Sequence, residues 1–294
     1  MITLGTAGLP HRFPATGTRS SGGLSLGTLA AAAAALLLTL AGPAAAQSAS
    51  AQSGDDSNFA WDGKVPAGGW VKVRDLNGGV RVEAGDGDRV QVTATKRSRR
   101  GDPKSVRIEV KRYGGDNVLV CALWREGDSC DEDGYHSSGN WSGWSRGNDV
   151  SVDFVVKLPR GVNVGAYSTN GEVRVTGATA EVDARTTNGS VEAVSSGGPV
   201  SARTTNGDVR ASMGVMGPGD LRYTTTNGSV LLELPASFDA DLDLATTNGS
   251  LSTDYPIQVQ GRMSTRRLQG TIGKGGRTLV AHTTNGNVTL RKRV

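Results

Sequence analysis

The sequence predicts an all-β chain of stacked repeat units, and three observations carry that prediction. The phrase T-T-N-G returns at Asn188, Asn206, Asn227, Asn248 and Asn285, each time followed at the third position by an aliphatic residue. Such self-similarity marks a fold whose units bury their apolar faces only against their neighbours. With weaker copies the alignment reaches eight units, centred on Asn77, Asn170, Asn188, Asn206, Asn227, Asn248, Gln269 and Asn285, and every centre is followed by glycine. Six residues before and three after each centre the residue is apolar, from Val71 and Val80 in the first unit through Met263 and Ile272 to Leu279 and Val288 in the last. The third observation is composition: 42 glycines in 294 residues, only 4 Phe and 5 Tyr, and 36% hydrophobic residues. That is too little for a broad core and enough for a narrow stack.

Each unit reads as strand, Asn-Gly corner, strand, because its inward residues recur with the two-residue period of a strand. Asn-Gly tolerates positive φ and, taken alone, signals an antiparallel hairpin, so an antiparallel β-sandwich is the rival architecture. A meander gives no reason for separations of 18, 18, 21, 21, 21 and 16 residues counted from Asn170. A parallel β-solenoid does. Its turns lie about 4.8 Å apart, so like residues form ladders, and stacked asparagines satisfy one another's amides. Inward alanines at 166, 184 and 202 predict a thin early stack, and Tyr223, Leu232 and Leu244 a wider later one. The early units should be the less stable.

Along the chain, residues 1–46 carry Arg12 and Arg19, no acid, an apolar run from Leu29 to Leu40, and small residues at Ala44 and Ala46. This is the pattern of a secretory signal peptide, with an apolar run too short to span a bilayer. The mature chain is then expected without a transmembrane segment in the periplasm, at the cell surface or outside the cell. Removing the two arginines leaves 30 basic residues against 28 acidic ones, a nearly neutral chain with no global pull toward nucleic acid. Residues 47–60 read as a flexible linker.

Residues 61–160 read as an N-terminal β region, since 93 residues separate Asn77 from Asn170 while alternation continues at Val90, Val92 and Ala94, at Val106, Ile108 and Val110, and at Val150, Val152, Phe154 and Val156. This region is expected to continue the sheet and cap its open end. The two cysteines, Cys121 and Cys130, predict one structural disulfide in an exported chain. A Trp-rich loop over 121–149 follows, with Trp124, Tyr135, Trp141 and Trp144. Loop aromatics offer contact area at low entropy cost, so these four are candidate binding residues. The competing role is a cover over the sheet edge. Residues 161–294 hold the remaining repeats.

Little in the sequence points to catalysis. His136 and His282 are too few for a histidine zinc site, the acids Asp128, Asp131, Glu132 and Asp133 fail the calcium-loop register, and neither a cofactor nor a metal is expected. A polysaccharide-active solenoid would want two carboxylates on adjacent turns, and Glu233 and Asp254 are the pair that sequence order makes neighbours. Both precede a proline by two residues and read as a corner motif instead. Outward basic residues give a surface alternative: Arg185 and Arg203 fall on consecutive units three residues before the centre, with Arg174 and Arg210 across the corner. They suit an anionic envelope polymer, or else pair with Asp183, Glu192 and Asp208 at little net energy.

The opening V-K-V-x-x-L-N-G-G-V-x-V, the middle K-L-P-R-G-V and the T-x-N-G-x-V units closing on T-T-N-G-N-V-T-L are similar to the bacterial putative-adhesin family of β-strand-repeat domains of unknown function. The resemblance covers about residues 61–294 and implies a right-handed parallel β-solenoid outside the cytoplasm. It supplies no catalytic motif. The expectation is a non-enzymatic module that binds an envelope glycan or surface protein, with a purely structural envelope spacer as the alternative and self-association through exposed ends as a further expectation.

Overall fold

The computed structural model describes residues 57–138, 148–259 and 264–293. The N-terminal β region contributes β1 (Asn58–Gly63), β2 (Trp70–Arg74), β3 (Val80–Ala84), β4 (Val90–Arg97), β5 (Arg107–Tyr113), β6 (Asn117–Leu123), the short β7 (Ser129–Cys130) and β8 (Tyr135–His136), and β9 (Ser151–Leu158). The repeats contribute β10 (Asn163–Tyr167), β11 (Val173–Ala178), β12 (Val182–Arg185), β13 (Val191–Ser195), β14 (Val200–Arg203), β15 (Val209–Met213), β16 (Leu221–Thr224) and β17 (Val230–Leu234). The chain ends with β18 (Ala240–Asn248), β19 (Leu251–Thr253), β20 (Gln258–Val259), β21 (Arg267–Ile272), β22 (Thr278–Asn285) and β23 (Val288–Lys292).

Among the described residues these strands form two large sheets. The first has the order β1-β4-β9-β3-β11-β13-β15-β17-β23-β19, and the second β20-β21-β18-β22-β16-β14-β12-β10-β2-β6-β5. The strands on either side of each Asn-Gly corner go one to each sheet and pair in parallel with their counterparts, as in Val164 opposite Val182 and Val191 opposite Val209. That register is parallel, where a sandwich of hairpins would be antiparallel. Antiparallel pairs close the ends: β1, β4 and β9 on the first sheet, β5 and β6 on the second, and β18, β21 and β20 at the far end.

The corner chemistry explains the T-T-N-G phrase. Asn206 Nδ2 donates to Asn188 Oδ1 at 2.7 Å, Asn227 to Asn206 and Asn285 to Asn227 at the same distance, and Asn248 to Asn285 at 2.8 Å. The first threonine of each phrase is buried and bonds the glycine carbonyl of the unit below, as Thr204 Oγ1 does to Gly189 O (2.8 Å) and Thr283 to Gly228 O (2.7 Å). Gly207 has φ of 146°, and a Cβ there would collide with the carbonyl oxygen of Gly189. Only glycine lets successive corners approach that closely. Between the sheets lies one continuous core, Val and Ala in the early units, then the fully buried Tyr223, Leu232, Leu244 and Leu290.

Spatial order departs from sequence order at the C-terminal end. After the Asn248 corner the chain passes through β19 and β20, returns along β21, which is antiparallel to both β18 and β20, and then inserts β22 between β16 and β18 and β23 between β17 and β19. The Asn285 corner therefore stacks on Asn227, with Asn248 outside it. Gln269 is not a corner, a correction to the eight-unit alignment: Gln269 and Gly270 lie inside β21. Gly270 is needed because a Cβ there would meet Ile257 and the Gln258 backbone, so close strand approach rather than a turn selects it. Met263 lies outside the described residues.

Candidate binding face

The outward positions of the second sheet carry a stripe of cations and aromatics. In an antiparallel or parallel sheet alike, residues two apart share a face, so Lys72 and Arg74 of β2, Tyr167 of β10, Asp183 and Arg185 of β12, Arg203 of β14 and Arg222 of β16 line one surface. The registers place Arg74, Tyr167, Arg185 and Arg203 in a single row. Arg74 sits 4.5 Å from the Tyr167 ring centre and Arg185 5.7 Å from it. The Tyr167 hydroxyl donates to Asp183 Oδ2 at 3.0 Å, and burial, followed by the Asp183 charge, pushes its pKa up. Arg185 donates to both oxygens of Asp183 at 2.9 and 2.7 Å. Across the corner, Arg174 likewise bridges Glu172 and Glu192, each at 2.8 Å.

The disulfide loop lies on the same face. Cys121 and Cys130 are bonded, with Cα atoms 6.5 Å apart. The outward residues of β6, Leu119, Cys121 and Leu123, are apolar, and they pack with Cys130, Tyr113 and Tyr135 in a second small core. The loop thus covers a sheet face rather than an edge. Asp128 organises it by accepting hydrogen bonds from the Tyr135 hydroxyl, from the amides of Ser138 (3.0 Å) and Arg125 (3.1 Å), and from Ser138 Oγ. Burial pushes the Asp128 pKa up, but these donors outweigh it and hold the carboxyl below its usual range. Arg74 Nε donates to Asp131 O (2.9 Å) and Lys72 to Glu132 O (3.2 Å), so β2 grips the loop through its backbone.

The structure sorts the candidate residues accordingly. Trp124 is a correction: it is buried in the main core, and its Nε1 donates to Val150 O at 3.3 Å, so its ring seals the cap and is not offered to a ligand. Tyr135 is half-buried, with its hydroxyl committed to Asp128. Trp141 and Trp144 lie outside the described residues. Arg185 and Arg203 do fall side by side, but only Arg185 is ion-paired among the described residues. The Nε of Arg203 is buried without a hydrogen-bond partner, and burial followed by the charge of Arg185 lowers its pKa. Tyr167 and Arg222 were missed by sequence reasoning, although Tyr167 holds the position of Arg185 and Arg203 in its own repeat, a signal the alignment already contained.

Glu233 and Asp254 are not neighbours, because the inserted β23 separates them. Glu233 faces Arg291 in register, and Asp254 Oδ2 accepts from the Lys292 amide (3.2 Å). Two strand spacings, about 9.6 Å, and an arginine lie between the two acids. At the other corner, near the N-terminal cap, a cleft of about 900 Å³ is lined by Lys64, Arg112, Arg160, Asp86, Asp88 and Asp116. Its charges balance, and Lys64 pairs with Asp88 at 2.7 Å.

Comparison with known proteins adds the family. The model of the Toastrack DUF4097 family matches residues 133–291, just over half of the chain. Two solved structures match the chain. One is a "putative cell adhesion protein" from Clostridium sporogenes, 8% identical, with a TM-score of 0.41, covering 80% of this chain and 100% of its own. The other is a "putative adhesin" from Bacteroides fragilis, 11% identical, with a TM-score of 0.33, covering 80% of this chain and 97% of its own. No curated protein matches the sequence.

Proposed function

The chain belongs to the Toastrack DUF4097 family, and from that premise we propose that it is an exported, non-enzymatic binding module of the cell envelope, built as a right-handed parallel β-solenoid. The observation that carries this reading is the outer face of the second sheet, where the disulfide loop and the cation-aromatic stripe adjoin. An open stripe running along the stack suits an extended partner such as an envelope glycan or the surface of another protein, whereas a small substrate wants an enclosing pocket. The N-terminal signal-peptide pattern and the disulfide support export to an oxidising compartment. Nucleic acid is not a partner in this reading.

A structural spacer is the second reading. It is favoured by one observation: the loop is spent covering the apolar face of β6. A binding screen of the purified chain against isolated envelope fractions and glycans separates the two. Trp70 is the natural reporter, half-buried beside Lys72 at 6.0 Å. Saturable binding with a fluorescence change supports the binding module. Absence of binding by a folded, disulfide-bonded chain supports the spacer.

A further inference from the structure

We propose that Arg185, Arg203 and Arg222 form an anion-binding row for a linear polyanion bearing closely spaced carboxylate or phosphate groups; this deepens the binding-module reading and rests on it. Arg185 and Arg203 are register partners on β12 and β14, and Arg222 stands opposite Ser201 on the next strand, as fixed by Ala202 opposite Tyr223. Their backbone positions cross two strand spacings, about 9.6 Å, and Arg222 lies two residues, about 7 Å, along its strand from the Arg185–Arg203 line, so the three cations form a diagonal row. Asp183 is the carboxylate within this row, and it is already shared between the Arg185 fork and the Tyr167 hydroxyl. Glu181 stands at the edge of the row beside Asp183 and within its charge influence. Asp220, in the residue before β16, is occupied by the amide of Thr278 at 2.7 Å.

Arg203 and Arg222 are left without an ion pair among the described residues, and Arg203 is half-buried between the like charges of Arg185 and Arg222, offset in part by the charge of Asp183, which Arg185 and Tyr167 already share. An arginine held this way has no evident structural purpose. Removing a desolvated cation from between two others should relieve strain, not create it. An incoming anion supplies what is missing: its oxygens match the guanidinium fork, and the outward hydroxyls of Ser201 and Thr224 flank the same spot. A repeat of charges along the stack axis would satisfy successive strands in turn, which a single anion cannot. Lys72 and Arg74 extend the basic surface but are held by the loop carbonyls, so the row starts where the loop ends.

The test uses the purified chain, the single variant Arg203→Thr and the double variant Arg203→Thr with Arg222→Thr. Calorimetric titrations are run with sodium polygalacturonate, sodium polyphosphate, inorganic phosphate, neutral dextran and phosphatidylglycerol vesicles. The expected result is saturable binding of polygalacturonate or polyphosphate, whichever carries the right anion, at least tenfold tighter per anionic group than inorganic phosphate. That binding should fall with added salt and weaken at least tenfold in the double variant, with no loss of thermal stability. Equal binding by wild type and double variant overturns the proposal, as does a preference for vesicles over both polymers or for dextran. A chain that binds envelope fractions but none of the anionic probes overturns the row and leaves the binding module standing. If it binds neither, both fall. A double variant with lowered thermal stability shows that these arginines are structural, and so also overturns the proposal.

Discussion

At the residue scale, two side chains stand out by what they lack. Asp75 occupies the place that Ser168, Thr186, Thr204, Thr225, Thr283 and Thr246 fill in the other units, two residues before the corner asparagine. Those hydroxyls donate to the glycine carbonyl below, but Asp75 is buried, and the nearby amides of Asn77 and Leu76 make no hydrogen bond of good geometry to either carboxylate oxygen. Burial raises its pKa well above the usual value, the amides of Asn77 and Leu76 offset this only in part, and Asp153 adds to it. The folded chain therefore holds a proton at Asp75 that the unfolded chain releases near pH 4. Folded stability should fall as pH rises from that range toward the raised pKa. Asp75→Asn should flatten the fall, and Asp75→Thr should stabilise by roughly 1–3 kcal/mol at neutral pH by removing an unpaired buried carboxyl. Urea midpoints between pH 4 and 8 measure both, and a wild-type midpoint that does not decline over that range counts against this account. Arg203→Thr should likewise keep or raise the melting temperature of the unliganded chain, since threonine favours strands and no ion pair is lost. A drop would reveal a structural partner.

At the element scale, the corner ladder and the disulfide loop do different work. Asn206 gives one carboxamide bond to Asn188 and receives one from Asn227, so Asn206→Ala breaks two rungs. At about 0.5–1.5 kcal/mol each, the expected loss is about 1–3 kcal/mol in chemical denaturation. A loss near zero would mean that water replaces the ladder. The loop closed by Cys121 and Cys130 should contribute about 2–3 kcal/mol through chain entropy. The larger consequence of the Cys121→Ser and Cys130→Ser pair lies in what the loop covers. Freed from its closure, it should uncover Leu119 and Leu123, read as increased binding of an apolar dye, and release Lys72 and Arg74 to solvent. Unchanged dye binding would show that the Asp128 hydrogen bonds alone hold the cover in place.

At the scale of the molecule, stability should be graded along the stack. The units around Asn188 bury Val182, Ala184, Val191 and Ala193, whereas those around Asn227 and Asn285 bury Leu221, Tyr223, Leu232, Leu279 and Leu290. Apolar burial contributes roughly 25 cal/mol per Å², so the larger side chains secure their units more strongly, and in a stack each unit depends mainly on its neighbours. The Tyr223 hydroxyl also closes its own account by donating to Val200 O at 2.6 Å. Amide exchange followed along the chain should be faster in β12 and β13 than in β16, β17 and β23. The reverse order would show that the N-terminal cap, not core size, sets the gradient.

The sequence alone determined the unit. An aliphatic residue at fixed distances on either side of Asn-Gly, a hydroxyl two residues before it in every corner but that of Asp75, and the glycine itself are local requirements, set by strand period, hydroxyl reach and backbone approach, so they recur along the chain. The disulfide was legible for the same reason, with two cysteines and one pairing. The order of the units was not. Gln269-Gly270 mimics a corner because close packing against Gln258 selects glycine as strongly as a turn does, and nothing local says that β22 enters between β16 and β18. That insertion is a long-range pairing. It parted Glu233 from Asp254, while the two-residue period of β6 carried Trp124 into the main core after Val118, Val120 and Ala122, and the loop's cover over β6 committed Tyr135 to Asp128. Arg185 and Arg203 were readable as a row, but their difference in charge partners was decided only when the fold set Asp183, Tyr167 and Arg222 around them.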